Sequence, residues 1–161
     1  MRRHLPLLLL LVLPLAAPAQ HDPAMHGGHH HAAGAAEVPD TREWVRFPPA
    51  MTAHTLANMR DHLLALQQIQ SALGEARYDD AAEIAEQRLG LSALRSHGAA
   101  ESSRFMPAGM QEAGTAMHRS ASRFGLAARD AAATGDLAPA LRSLAQVTAA
   151  CVSCHAAYRL Q

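Results

Sequence analysis

The chain has 161 residues, with 14 basic and 14 acidic side chains, and every basic side chain is arginine. This balance, and the lack of any basic run, argue against a function in nucleic-acid binding. Hydrophobic residues make up 49% of the sequence but aromatic residues only 4%. Because alanine supplies much of the apolar content and buries little area, we predict a thin core that a large apolar cofactor would fill.

The first residues have the features of an export signal. Two arginines at positions 2 and 3 precede an apolar run over residues 5–15, and Ala-Pro-Ala at 17–19 matches the small-x-small pattern of a cleavage site. The run is shorter than the roughly 20 residues that a membrane-spanning helix needs, although an uncleaved anchor is the alternative. We therefore predict a signal peptide over residues 1–19, no stable membrane anchor after its cleavage, and a periplasmic location.

Residues 20–44 are predicted to form a flexible, histidine-rich tail and an extended lead-in. Imidazole suits copper, nickel and zinc ions, so metal handling by this tail is one possible function, and incidental metal affinity is the alternative. In the lead-in, Trp44 or Phe47 is expected to pack against the body. The tail contains His21, Met25, His26, His29, His30 and His31.

Four helices are predicted in the domain over residues 45–161. The first covers about residues 49–73, where apolar side chains recur at alternating steps of three and four, and Gly74 closes it as a C′ glycine. The second is capped by Asp79 or Asp80 and ends at His97-Gly98. The third covers about residues 107–134 and stops at Gly135. The fourth is capped by Asp136, tolerates Pro139 in its first turn and continues to the end of the chain.

The predicted fold is all-α. No stretch of useful length alternates with period two, so no strands are expected. Four helices with short connections predict an antiparallel up-down-up-down four-helix bundle.

The last predicted helix carries the segment CVSCH, which contains both cysteines of the chain. A zinc site needs about four ligands, and no second cysteine pair exists. A thioredoxin-type pair starts a helix after a strand, and a disulfide between Cys151 and Cys154 within one helical turn would be strained. The pattern Cys-x-x-Cys-His is typical of covalent haem attachment, with His155 as an iron ligand. We therefore predict one haem c bound through the two cysteines.

The segment CVSCHAAYR near the C-terminus, behind three other helices, resembles the cytochrome c′ family of four-helix c-type cytochromes. The resemblance covers about residues 45–161. It implies that Arg159 lies beside His155 and the exposed haem edge. It also implies electron transfer with redox partner proteins, or gas binding, rather than enzymatic catalysis, and a possible homodimer formed through the first two helices.

The second axial ligand of the iron decides between those two functions. The resemblance implies either a first-helix methionine, giving an electron carrier, or a vacant position, giving five-coordinate iron that binds nitric oxide or carbon monoxide. Met59 lies on the inward stripe of the first helix and is the preferred ligand, ahead of Met51. His54 and His62 are rivals. Three further methionines are expected to pack around the haem: Met106, Met110 and Met117.

Overall fold

The computed structural model of the protein describes residues 39–160, so the predicted signal peptide and most of the predicted tail lie outside the described residues. Of the described residues 77% are helical, which confirms an all-α fold class. Within this part of the chain no helix is both long and apolar enough to cross a membrane. The elements are β1 (Glu43–Val45), α1 (Pro49–Gly74), α2 (Tyr78–Arg88), α3 (Ala99–Ser102), α4 (Ala108–Thr134), α5 (Ala138–Ala157) and β2 (Tyr158–Leu160).

Helix α1 begins as predicted but ends differently. Pro49 starts it, since the fixed φ and missing N–H of proline suit a first helical turn. Gly74 is still helical, and the residue with left-handed backbone is Ala76, at φ 57°. The N–H groups of Ala76 and of the next residue donate to the carbonyls of Leu73 and Ala72 at 3.1 and 2.8 Å, the pattern of a Schellman motif. The prediction of Gly74 as the C′ residue was therefore wrong by two positions.

The second predicted helix is interrupted. Helix α2 ends at Arg88, and two short 3₁₀ turns, Leu91–Ala93 and Ser103–Phe105, lie on either side of α3. The helical path ends because the backbone of Gly90 is extended, at φ −75° and ψ −175°, and the carbonyls of Leu89 and Gly90 lie 2.8 and 3.2 Å from Nδ1 of the buried His118 on α4. The prediction that this helix continues to residues 97–98 was wrong.

The predicted helix caps had different outcomes. Asp79 and Asp80 lie in the first turn of α2, where carboxylates favour the helix dipole, but no side-chain cap hydrogen bond forms there. Gly135 ends α4 in the left-handed conformation, at φ 76°, as predicted. Oδ1 of Asp136 accepts a hydrogen bond from the N–H of Ala138 at 3.0 Å, at the start of α5.

The chain ends in a short strand rather than in helix. Strand β2 pairs in parallel with β1, so that Glu43 faces Tyr158, Trp44 faces Arg159 and Val45 faces Leu160. The predictions that the last helix reaches the end of the chain and that no strand forms were therefore wrong. The pairing is supported by burial: Val45 and Phe47 are buried, with Met110, in a small apolar cluster beside it, whereas Trp44 stays exposed.

The main core is built from small side chains. Helix α4 packs against α2 and α5, and α2 packs against α1. A Cβ on Gly125 would lie 3.3 Å from the carbonyl of Ala82, so the backbones of α4 and α2 are close. We call this core the closed half: residues 65–73, 78–89, 121–131 and 140–147. Its fully buried members are Ala65, Ile69, Ala72, Ala81, Ala82, Ala85, Leu89, Ala121, Phe124, Ala128, Ala131, Ala140 and Val147.

Candidate cofactor site at the CVSCH motif

Helix α5 presents both cysteines to a cavity of about 230 Å³. Cys151 and Cys154 are free thiols, one helical turn apart and partly buried. Burial raises the pKa of each thiol, so both are protonated at neutral pH. His155 lines the same cavity from the last turn of α5.

The opposite walls of this cavity carry thioethers and imidazoles. Met59 and His62 come from α1, one helical turn apart. The predicted haem-packing methionines, Met106, Met110 and Met117, all line the cavity as well. We call this part of the molecule the cavity half: residues 55–62, 94–118 and 150–155.

The remaining candidate ligands lie elsewhere. Met51 packs against the small cluster of Val45 and Phe47 and does not line the cavity. His54 is exposed, and its Nε2 lies 3.0 Å from the carbonyl of His97. The structure therefore brings Met59, and not Met51, together with the CVSCH motif.

A second cavity, of about 260 Å³, adjoins the first. Four residues line both cavities: Met59, Met110, Cys154 and His155. The second cavity is also lined by two arginines, Arg42 and Arg159, and by Leu56, Tyr158 and Leu160. The region between α1 and the CVSCH motif is thus continuous from an apolar interior to a positively charged rim.

The charged rim depends on the pairing of β1 with β2. Arg42 donates to the carbonyl of His155 at 3.4 Å and forms an ion pair with Asp40 at 2.7 Å. Hydrogen bonds from Arg42 hold the pKa of the Asp40 carboxyl well below its usual range. Nε of Arg159 lies 3.5 Å from Asp40, and its guanidinium lies 5.4 Å from the ring centre of Trp44. Sequence reasoning missed Arg42, because 113 residues separate it from its contact at position 155.

Three histidines form a cluster on the cavity wall. His62, His97 and His118 have ring centroids 4.8 Å (62 to 97), 5.5 Å (97 to 118) and 6.2 Å (62 to 118) apart. Burial is the main cause that lowers the pKa of His62 to about 4, and the nearby His97 and His118 contribute in the same direction. Burial also lowers the pKa of His97. The sequence pointed only to His62, as a rival ligand, since the other two lie on different elements.

Within residues 39–160 no three His, Cys, Asp or Glu side chains form a group that could hold a metal ion. No protein-family model, curated protein or solved structure matches the chain. Function therefore has to be inferred from the residues and from the geometry of the cavity half.

Proposed function

We propose that the protein is an exported mono-haem c-type cytochrome that transfers electrons, with α1, α2, α4 and α5 as a four-helix bundle. The haem c would be bound through Cys151 and Cys154, with His155 and Met59 as axial ligands. The observation that carries the proposal is that Met59 of α1 and His155 of α5 line the same two adjoining cavities, together with Cys154.

The residues fit such a group in three respects. Two free thiols one turn apart suit two thioether bonds to a porphyrin edge. The apolar, methionine-rich lining of the first cavity suits the macrocycle, because thioethers adapt to irregular shapes. The guanidinium groups of Arg42 and Arg159, at the rim of the second cavity, suit the carboxylates that haem carries.

The haem, when bound, supplies one-electron chemistry. The protein would hold the haem rigidly and set its reduction potential. A methionine thioether opposite a histidine raises the reduction potential of haem iron. The side chain of Met59 would therefore favour the reduced state, and the closed half would keep α1 and α5 at a fixed separation during electron transfer.

Covalent attachment is the first test. The full-length chain is produced in a bacterial host with a haem-attachment system, and haem that survives denaturation is measured by mass spectrometry. We expect one haem per chain, and none in the double variant Cys151→Ala/Cys154→Ala. A wild-type chain that is exported and folded but carries no covalent haem would overturn the proposal.

The second test asks which residue is the distal ligand. We expect a low-spin spectrum for the wild-type protein. Met59→Ala should convert it to a high-spin form that binds carbon monoxide. Met51→Ala, a matched change on the same helix outside the cavity, should stay low-spin. A high-spin wild-type protein would favour gas binding instead, and a low-spin Met59→Ala variant would point to another ligand such as His62.

A further inference from the structure

The backbone of His97 is fixed on the cavity wall by the first helix. Its carbonyl accepts hydrogen bonds from Nε2 of His54 and Nδ2 of Asn58, both at 3.0 Å. Gly98, which follows, has a left-handed backbone at φ 62°, and a Cβ there would lie 3.2 Å from the ring of His54. The turn that carries His97 is thus held against α1, on which His62 lies.

This arrangement brings two imidazole nitrogens face to face. Nε2 of His62 and Nδ1 of His97 are 3.5 Å apart. That is longer than an ordinary hydrogen bond of about 2.7–3.2 Å. It matches the separation of about 3.4 Å between two nitrogens that each bind one tetrahedral metal ion at about 2.0–2.1 Å. The pair therefore has the spacing of two ligands of one ion.

The surroundings keep both rings neutral and in place. Burial lowers the pKa of both His62 and His97, so each ring is neutral at neutral pH and has one nitrogen lone pair that can bind a metal ion. His118 is buried beside them, and its Nδ1 lies 2.8 Å from the carbonyl of Leu89, which fixes its ring.

The composition of the cavity selects the ion. Within the described part of the chain no third His, Cys, Asp or Glu completes a group with the pair, so the usual four-ligand zinc site is not formed. The soft donors that share the cavity are the methionine thioethers and the sulfurs of Cys151 and Cys154, and the two cysteines are assigned to haem attachment. Imidazole together with thioether selects Cu(I) among the ions common in proteins.

We propose that His62 and His97, with a thioether from Met106, Met110 or Met117, form a Cu(I) site on the cavity wall. Met59 is not part of this copper site, because it is assigned to the haem iron. The copper site does not require haem to be attached. The protein would then hold two redox metals in adjoining positions, or carry copper when haem is absent.

The test is a Cu(I) titration of the full-length protein in the absence of oxygen, against a competing chromogenic chelator. The five tail histidines at positions 21, 26, 29, 30 and 31 are replaced by alanine to remove their contribution. We expect one Cu(I) per chain, and a loss of affinity of at least about 100-fold in His62→Gln or His97→Gln, since even indirect changes near a metal cost about 10–100-fold. Met51→Ala, a change on the same helix outside the cavity, is the control and should bind Cu(I) unchanged.

The failure of this proposal is separable from the failure of the haem proposal. The titration is repeated in the Cys151→Ala/Cys154→Ala background, where neither haem nor thiol is available to the ion, and covalent haem is measured in each preparation. Copper binding together with the absence of covalent haem in the exported wild-type chain overturns only the haem proposal. Haem without copper binding, or equal binding in the wild type and both histidine variants, overturns only the copper site.

A second measurement does not depend on altered side chains. Cu(I) is diamagnetic, so the ¹⁵N resonances of Nε2 of His62 and Nδ1 of His97 can be followed directly by NMR. Both should shift on addition of one equivalent. If a histidine variant fails to fold by circular dichroism, unchanged shifts in the wild type still refute the site.

Discussion

The two halves of the long helices differ in what fills the space between them. In the closed half, alanine and glycine let the backbones approach, and the larger side chains Ile69, Phe124 and Val147 fill what remains. In the cavity half, the same helices α1, α4 and α5 are lined by methionine, histidine and cysteine around open space. One helical domain thus combines a tightly packed end with an end that has room for a ligand.

This difference follows from the chemistry of the side chains. Alanine loses no side-chain entropy on burial and allows close helix packing, so it holds helices at a fixed distance. Methionine is flexible and polarisable, and it adapts to the shape of what it contacts. Changes in the closed half should therefore alter the free energy of unfolding, and changes in the cavity half should mainly alter ligand binding.

The largest expected effect is the loss of Phe124, the largest fully buried side chain. Phe124→Ala removes the main bulky residue of an alanine-rich core, whose small neighbours cannot move in to fill the gap. We expect the free energy of unfolding to fall by about 3–5 kcal/mol, measured by urea denaturation. Leu126→Ala on the same helix is the control: its side chain is 61% exposed, so the cost should stay within about 0.5 kcal/mol. Equal costs for the two variants would contradict a closed half held by Phe124.

The next effect belongs to the cavity half and depends on pH. Because the pKa of His62 is lowered to about 4 in the folded protein, the unfolded chain binds a proton at this histidine first as the pH falls below about 6.5. Titration of His62 therefore leaves the free energy of unfolding unchanged above about pH 6.5. Between that pH and about pH 4 it lowers the free energy of unfolding progressively, by about 2–3 kcal/mol. The lowered pKa of His97 acts in the same direction.

Urea denaturation in a metal-free buffer between pH 7 and pH 4 tests this pH dependence. His62→Gln cannot take up a proton, so its stability should fall less over this range than that of the wild type. The neighbouring Asp61, paired with Arg88, also has a lowered pKa, but its contribution is lost only below the usual carboxyl range near 3.8. A His62→Gln variant with the same pH dependence as the wild type would show that His62 is not buried as a neutral imidazole.

A third effect compares two glycines of α4 in the cavity half. A Cβ on Gly109 would collide with the hydroxyl of Tyr158 in β2, whereas a Cβ on Gly114 would meet nothing within 4 Å. We expect Gly109→Ala to cost about 1–3 kcal/mol and to loosen the β1–β2 pairing. Gly114→Ala should gain up to about 1 kcal/mol, because alanine is the better helix former. Thermal unfolding of both variants measures these changes in stability. Changes of the same sign in the two variants would refute the close contact of α4 with the C-terminal strand.

The features that the sequence predicted correctly depend on local signals. The end of α4 follows from Gly135 and the start of α5 from Asp136 and Pro139, each of which acts within one or two turns of its position. The CVSCH motif lies on the last long helix, as predicted, and its role in haem attachment stays a prediction. The preference for Met59 over Met51 as an iron ligand came from its place on the apolar stripe and stays a prediction, although Met59 lines the cavity and Met51 does not.

The features that the sequence did not predict depend on distant partners. Helix α2 ends just before Leu89, whose carbonyl contacts His118, 29 residues away along the chain. Strand β2 forms only because β1, from the opposite end of the domain, supplies its hydrogen-bonding partner. The pairing of His62 with His97 also joins two elements that are 35 residues apart. No short segment of sequence contains such information.

The smallest expected effect compares left-handed residues at the two ends of the molecule. Ala76, beside the closed half, has φ 57°, and Gly98, beside the cavity, has φ 62°. A left-handed backbone costs a residue with a Cβ roughly 1–2 kcal/mol, and glycine avoids this cost. Glycine also has a larger entropy in the unfolded state, which offsets part of the gain. Ala76→Gly should therefore stabilise the protein by about 0.5–1 kcal/mol in urea denaturation, with no change in Cu(I) affinity.

Gly98→Ala should have the opposite sign, because it adds the left-handed cost and places a Cβ 3.2 Å from the ring of His54. We expect it to lower stability by about 1–2 kcal/mol. Since the same turn fixes His97, it should also weaken Cu(I) binding, in contrast to Ala76→Gly. A Gly98→Ala variant that loses stability but binds Cu(I) normally would show that the turn supports the fold without positioning the histidine pair.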